Sequence, residues 1–231
     1  TLGQSLTSTN AGVQMQKLIP AGTIQAWSVG NSMNVPRQGL SGVGTESAAL
    51  AIGGADTTLH TYLNTAVTTV ENYDGNIWSI APSLPVKRIY GAAVGSATDA
   101  MYIGGTPGEY QPGIPNATPK TTFTYNGISW STQNNLLYGT YTNGAFGTPT
   151  SAYSFGGWAS GSGAMYGVMT QYFDGISWTK KANMFDPVSS MAAAGNTSIG
   201  GFSYGGATEN TQFYAEDFDH WGYASSLNTA R

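Results

Sequence analysis

Four double glycines, Gly53-Gly54, Gly104-Gly105, Gly156-Gly157 and Gly205-Gly206, each close a short apolar run, and their first members stand 51, 52 and 49 residues apart. An interval this regular makes the chain an array of like units, and the fold must be one that stacks them. The unit is clearest over residues 88–105, where apolar runs at 90–94 and 100–103 flank a small polar turn. That pattern predicts a two-stranded hairpin whose second strand stops at the glycines. Each glycine pair is followed by an aromatic-polar segment ending on a tryptophan: Trp78, Trp130, Trp178 and Trp221. In three of these segments Asp74-Gly75, Asn126-Gly127 or Asp174-Gly175 separates alternating runs, so the second half of the unit reads as a hairpin too.

Four strands per unit at a period near 50 predict an all-β fold of stacked four-stranded sheets. The pattern resembles the kelch repeat, in which the double glycine is followed by a spaced Tyr and Trp: here Tyr73 and Trp78, Tyr125 and Trp130, Tyr172 and Trp178. The resemblance covers residues 27–231 and implies a kelch-type β-propeller with units 37–78, 88–130, 139–178 and 188–221. A second template joins the units. Residues 27–37, 78–88 and 221–231 each run ten positions from Trp to Arg, while Thr140 and Val188 stand where the other two units would place arginine. With residues 42–54 and the Tyr-Asp-Gly-Asn-Ile-Trp of residues 73–78, this is similar to the kelch-like arrays in virion structural and tail-fibre proteins of marine tailed phages, cyanophages in particular. That resemblance implies a protein of the virion surface, extracellular in its setting.

The two end linkers, 27–37 and 221–231, occupy the same phase, so a ring of only four blades would give both the same place. A piece of a longer array, or pairing with another subunit, would resolve the conflict. The favoured expectation is four complete blades plus a partial, irregular fifth from the N-terminal segment, residues 1–26, in which residues 13–19 alternate as one strand would.

Composition narrows the function classes. Charged residues are 9 % of the chain, the net charge is −4, and no basic run occurs, so the footprint of a nucleic-acid binder is missing. No stretch approaches the apolar length of a membrane helix, which predicts no membrane insertion. There is no cysteine, hence neither a disulfide framework nor a thiolate metal site. Fourteen Tyr, eight Phe and six Trp argue for a packed core rather than disorder.

The repeated glycines allow close strand approach and positive φ, and the repeated tryptophans suit packing between units, with each indole N–H free to find an acceptor. Arg37 and Arg88 are placed to reach neighbouring backbone or a carboxylate. The loops after each glycine pair would emerge on one side and gather Tyr62, Tyr110, Trp158 and Tyr166, which could stack on sugar rings or meet a protein, or pack within their own loops. Asp74 and Asp174 read as turn formers.

Catalytic patterns are poorly represented. Kelch architecture resembles the central domain of galactose oxidase, but copper chemistry of that kind needs a Tyr–Cys crosslink and two histidines, and His60 and His220 stand in different phases. The Asp74–Trp78 and Asp174–Trp178 pieces faintly resemble sialidase aspartate boxes, without the arginine cluster of such enzymes. No Gly-x-Ser-x-Gly elbow or phosphate loop is present. The expectation is a non-enzymatic virion structural or adhesion module with no catalytic residue, metal or cofactor. Its partners would be other virion proteins, copies of itself or host-surface glycan. A carbohydrate-active enzyme or lectin, and a protein-binding kelch scaffold, are the alternatives.

Overall fold

In a computed structural model the described residues are 4–9, 12–17, 30–58, 66–108, 119–158, 166–206 and 209–227. The chain forms two compact units, Thr1–Gly30 and Asn31–Arg231. In the first, β1 (Gln4–Thr9) and β2 (Gly12–Lys17) pair antiparallel, in register from Gln4 with Lys17 to Thr9 with Gly12. The strand expected within residues 13–19 is β2, and the Thr- and Ser-rich residues before it supply its partner, as their β-propensity permits.

The second unit is all-β. A short β3 (Arg37–Gln38) leads into β4 (Ser41–Thr45) and β5 (Ala48–Ile52); then come β6 (Ala55–Asp56), β7 (Val70–Tyr73) and β8 (Trp78–Ala81). Next are β9 (Ala92–Gly95), β10 (Ala100–Ile103), β11 (Thr122–Tyr125) and β12 (Trp130–Gln133), followed by β13 (Gly144–Thr148), β14 (Ser151–Phe155), β15 (Thr170–Phe173) and β16 (Trp178–Lys181). The last four are β17 (Ala192–Asn196), β18 (Gly200–Tyr204), β19 (Thr211–Ala215) and β20 (His220–Ala224). They make four antiparallel sheets, ordered β4-β5-β7-β8, β9-β10-β11-β12, β13-β14-β15-β16 and β17-β18-β19-β20; β3 pairs separately with β6. In all four sheets the second strand stops immediately before the double glycine. Each tryptophan lies in the fourth strand: three open it, and Trp221 is the second residue of β20.

The sheets pack in chain order through their first strands, β4 on β9, β9 on β13 and β13 on β17. Three apolar clusters fill the three seams. Leu50 and Ile52 meet Tyr102 and Phe123 in the first, Met101 and Ile103 meet Ala152 and Phe173 in the second, and Tyr153 and Phe155 meet Tyr214 and Trp221 in the third. Burying each large side chain contributes about 1.5–3 kcal/mol, and the second strands β5 and β10 are apolar along their whole length. From the linker after each sheet, Leu84, Leu136 and Met184 plug the same clusters, held by N–H bonds to Thr68, Lys120 and Val168 carbonyls.

Main-chain bonds lock the seams. The second glycine of the first three pairs donates to the next unit: Gly54 N to Arg88 O, Gly105 N to Thr140 O and Gly157 N to Val188 O, all 2.8 Å. The first glycine lies so close to that linker that a side chain has no room. At Gly104 (φ 69°) a Cβ would stand 2.3 Å from the Thr140 carbonyl oxygen. A second run of bonds links Tyr90 N to Gly39 O (2.9 Å), Thr142 N to Tyr90 O (2.6 Å) and Ser190 N to Thr142 O (2.9 Å). All four residues hold left-handed backbone, φ 53–62°, at one phase of the repeat. For Tyr, Thr and Ser this costs energy, and it explains why the strand expected from Tyr90 begins at Ala92. Among the described residues β4 and β17 are not packed together as neighbouring first strands are, and no closed ring of sheets is seen. Of the N-terminal segment expected to supply an irregular fifth blade, residues 4–9 and 12–17 form the β1–β2 hairpin, and residues 18–29 lie outside the described residues.

Candidate functional site

Of the four expected loop aromatics, Tyr62 and Tyr110 lie outside the described residues. Trp158 is 60 % exposed, and its backbone forms an isolated bridge with Tyr141, two N–H···O bonds of 2.9 Å. Tyr166 opens a 3-10 turn, Tyr166–Val168. Of the four side chains only that of Trp158 is among those described. Among the described residues no three or more His, Asp or Glu gather as metal ligands, and His220 packs edge-on against Phe185, centroids 5.4 Å apart.

The second residue of each third strand carries a feature that sequence reading missed. Glu71, Phe123, Gln171 and Gln212 share this phase and face the linker entering their unit. Glu71 accepts from Asn34 N (2.7 Å), Asn34 Nδ2 (2.9 Å) and Val35 N (3.3 Å), and pairs with Arg37 Nη2 at 2.9 Å. Gln171 accepts from Tyr138 N and donates to Tyr138 O, both at 3.0 Å. Gln212 accepts from Phe185 N and Asp186 N, and donates to Asp186 O. In the second unit the linker carries Pro85, which lacks an N–H, and the matching position is Phe123. Arg88 lies 5.7 Å from that ring's centre, its Nη2 donating to Thr121 Oγ1 (2.6 Å) and its Nη1 to Lys87 O (2.8 Å). The equivalent Arg37 donates to Gly53 O and Thr69 O besides Glu71. The signal was present as a polar residue recurring at one point of an apolar frame.

These contacts are structural latches. Gln171→Leu would leave the Tyr138 N–H and C=O buried without partners, and is expected to lower unfolding free energy by about 1–3 kcal/mol. Chemical denaturation measures it, and an unchanged midpoint would remove the latch role. Gln171 also lines a shallow depression with Tyr138, Thr140, Met169 and Phe155. Its polar groups already bond one another, Thr140 Oγ1 donating to Gly156 O at 3.0 Å.

The tryptophans pack on the partner across their hairpin: Trp130 stacks on Tyr125 and Trp78 tilts on Tyr73 with centroids 5.0 Å apart, and Trp178 tilts on Phe173 at 5.2 Å and Trp221 on Tyr214 at 5.5 Å. Trp130 Nε1 donates to Pro82 O (2.8 Å) and Trp221 Nε1 to Thr170 Oγ1 (2.9 Å), whereas buried Trp178 Nε1 has no partner among the described residues.

The acidic residues are engaged in turns. Asp74 Oδ1 accepts from Asn76 N and Ile77 N, Asp174 Oδ1 from Ile176 N and Ser177 N, and Asn126 does the same from Ile128 N and Ser129 N. Those backbone donors favour the charged carboxylate and hold Asp74 and Asp174 below the usual aspartate value of 3.8. A depressed folded-state pKa gives stability that is present above 3.8 and is lost as pH falls through the folded value. Because Asn126 makes the same turn, the double variant Asp74→Asn/Asp174→Asn is expected to keep its neutral-pH melting temperature and to lose less of it in acid. Thermal melts at neutral pH and below pH 3.8 read this, and parallel acid curves for both proteins would contradict it.

The acidic end of the fourth sheet is internally bonded. Glu216 accepts from Tyr153 O–H and lies 3.8 Å from Lys181 Nζ. Burial first, then the neighbouring Asp219 and Asp217, raises its pKa. Asp219 accepts from Tyr214 O–H (2.6 Å) and Ala182 N (3.0 Å). Burial opposes its ionisation, but these bonds prevail and keep it lowered.

What recurs on the surface is apolar. The tip of the outer hairpin carries Ile77, Ile128, Ile176 or Phe218 in successive units, from 52 % exposed at Ile77 to 80 % at Phe218. Compared with known proteins, the chain matches no family model and no curated sequence.

Proposed function

We propose that this chain is a non-enzymatic structural or adhesion module of a virion surface, and that its four sheets are the complete blades of a kelch-type propeller array. The observation that carries the reading is the row Ile77, Ile128, Ile176 and Phe218. The outer hairpin of every unit offers an apolar side chain to solvent, Ile128 and Ile176 from the third turn residue, Ile77 from the fourth, and Phe218 from a 3-10 turn. Repetition of an exposed apolar group on a rigid scaffold suits lateral contact with other virion proteins or with copies of itself. The side chains that could do chemistry, Glu71, Arg37, Asp74, Asp174, Glu216 and Asp219, are held in bonds that fix the fold. Trp158, exposed on the loop side, suits stacking on a host-surface glycan.

Quantitative proteomics of particles from the native source tests the reading. The expected result is a fixed copy number relative to capsid and tail proteins, with glycans bound but not cleaved by the purified chain. Turnover of a glycan, or a chain found only free of particles, overturns it in favour of a carbohydrate-active enzyme or a cellular protein-binding scaffold.

A further inference from the structure

Each of the three seams has the same parts. A forward-facing side chain from the second strand is buried by the next sheet: Leu50 (1 % exposed), Met101 (0 %) and Tyr153 (0 %). A glycine N–H reaches forward to a linker carbonyl, and a left-handed residue's carbonyl receives an N–H from the next unit.

The fourth sheet has the forward half of such a seam and nothing against it. Phe202, in phase with Leu50, Met101 and Tyr153, is 47 % exposed, and Phe213 beside it is 36 % exposed, centroids 6.3 Å apart. Ala194, paired with Phe202 across the hairpin, is exposed too. Among the described residues the Gly206 N–H and Ser190 C=O have no seam partners. The first sheet has the rear half. There the Gly39 N–H and Arg37 C=O, whose equivalents bond at every other seam, receive no such partner among the described residues. Tyr73 and Trp78 are only half-buried, where Tyr214 and Trp221 are each 1 % exposed.

The two ends are thus the halves of one more seam, matched donor to acceptor and apolar face to apolar face. At the first sheet the buried charges Arg37 and Glu71 pair with each other. We infer that a second copy of this chain docks head to tail, the fourth sheet of one protomer on the first sheet of its partner. The contact is heterologous: two copies form a ring if the rotation closes, and a filament if it does not. The inference rests on the blade reading proposed above, whatever the array is used for.

The chain has no cysteine, so single-cysteine variants report cleanly. Gly42 lies on the first strand of the first sheet, and a Cβ there meets only Leu50 O at 3.7 Å; Ala194 is its counterpart across the inferred seam. Mixing Gly42→Cys and Ala194→Cys proteins with a short bismaleimide is expected to give the mixed dimer far in excess of either homodimer. Sedimentation velocity of the unmodified chain should show two copies or multiples. Phe202→Glu, at a position exposed within one copy, should weaken association at least tenfold while leaving the melting temperature of dilute protein unchanged. A monomer across the concentration series overturns the inference, as does monomeric Ala194→Cys protected from maleimide, which would mean that the face is covered from within the chain. Either failure leaves the particle copy number untouched, so the two readings fail separately.

Discussion

Glu71→Ala is expected to lower the unfolding free energy by about 3–5 kcal/mol, because it strips the partner from a buried charge. The Arg37 and Glu71 side chains are both fully buried. Without the carboxylate, the guanidinium keeps only the Gly53 and Thr69 carbonyls, while Asn34 and Val35 lose the acceptor of their backbone N–H groups. The Asn34–Arg37 linker would detach at its entry to the first sheet. Replacing both partners by apolar groups, Arg37→Met with Glu71→Leu, removes the uncompensated charge and should cost less than the single change. Urea unfolding of the three proteins measures the order. A single variant within about 1 kcal/mol of the parent would mean that the pair behaves like an exposed ion pair.

Trp221→Ala is expected to cost about 3–5 kcal/mol, the range for truncating a buried aromatic. Its indole sits 5.0 Å from Phe155 and 5.5 Å from Tyr214, and its N–H bond to Thr170 crosses the third seam. Trp78→Ala, at the same phase, should cost markedly less in dilute protein, since no sheet covers that face of the first unit. Melts of the two variants side by side give the comparison. Equal losses would show that the repeated tryptophans act within their own hairpins and not through the seams.

The strand plan was legible because its cues are local. A double glycine ends a strand since nothing but glycine fits beneath the next linker's carbonyl, as at Gly104. Asp-Gly and Asn-Gly announce turns that the side chain itself caps. The latches at Glu71, Gln171 and Gln212 were harder to see, because their meaning depends on a linker more than 25 residues away in the chain. Lone glutamines between apolar residues look like ordinary strand positions until that linker is placed. The left-handed backbone at Tyr90, Thr142 and Ser190 gave no signal, since only Gly39 of the four carries the residue that such a conformation usually selects. The expected gathering of loop aromatics rests on residues 59–65, 109–118 and 159–165, of which only the flanking Trp158 and the Tyr166 backbone are described. The irregular fifth blade was expected from the phase of the two end linkers, and residues 18–29, which would carry its last strand, lie outside the described residues.

Because the seams are closed by main-chain N–H and C=O groups, the joint reads backbone and is largely indifferent to which side chains flank it. Thr140 and Val188 present the same carbonyl that Arg88 does. Units joined this way are interchangeable in principle: an internal repeat could be duplicated or deleted and its neighbours would still meet a compatible edge. Length then becomes an adjustable property of the array, and each loop can diversify without renegotiating how the blades are joined.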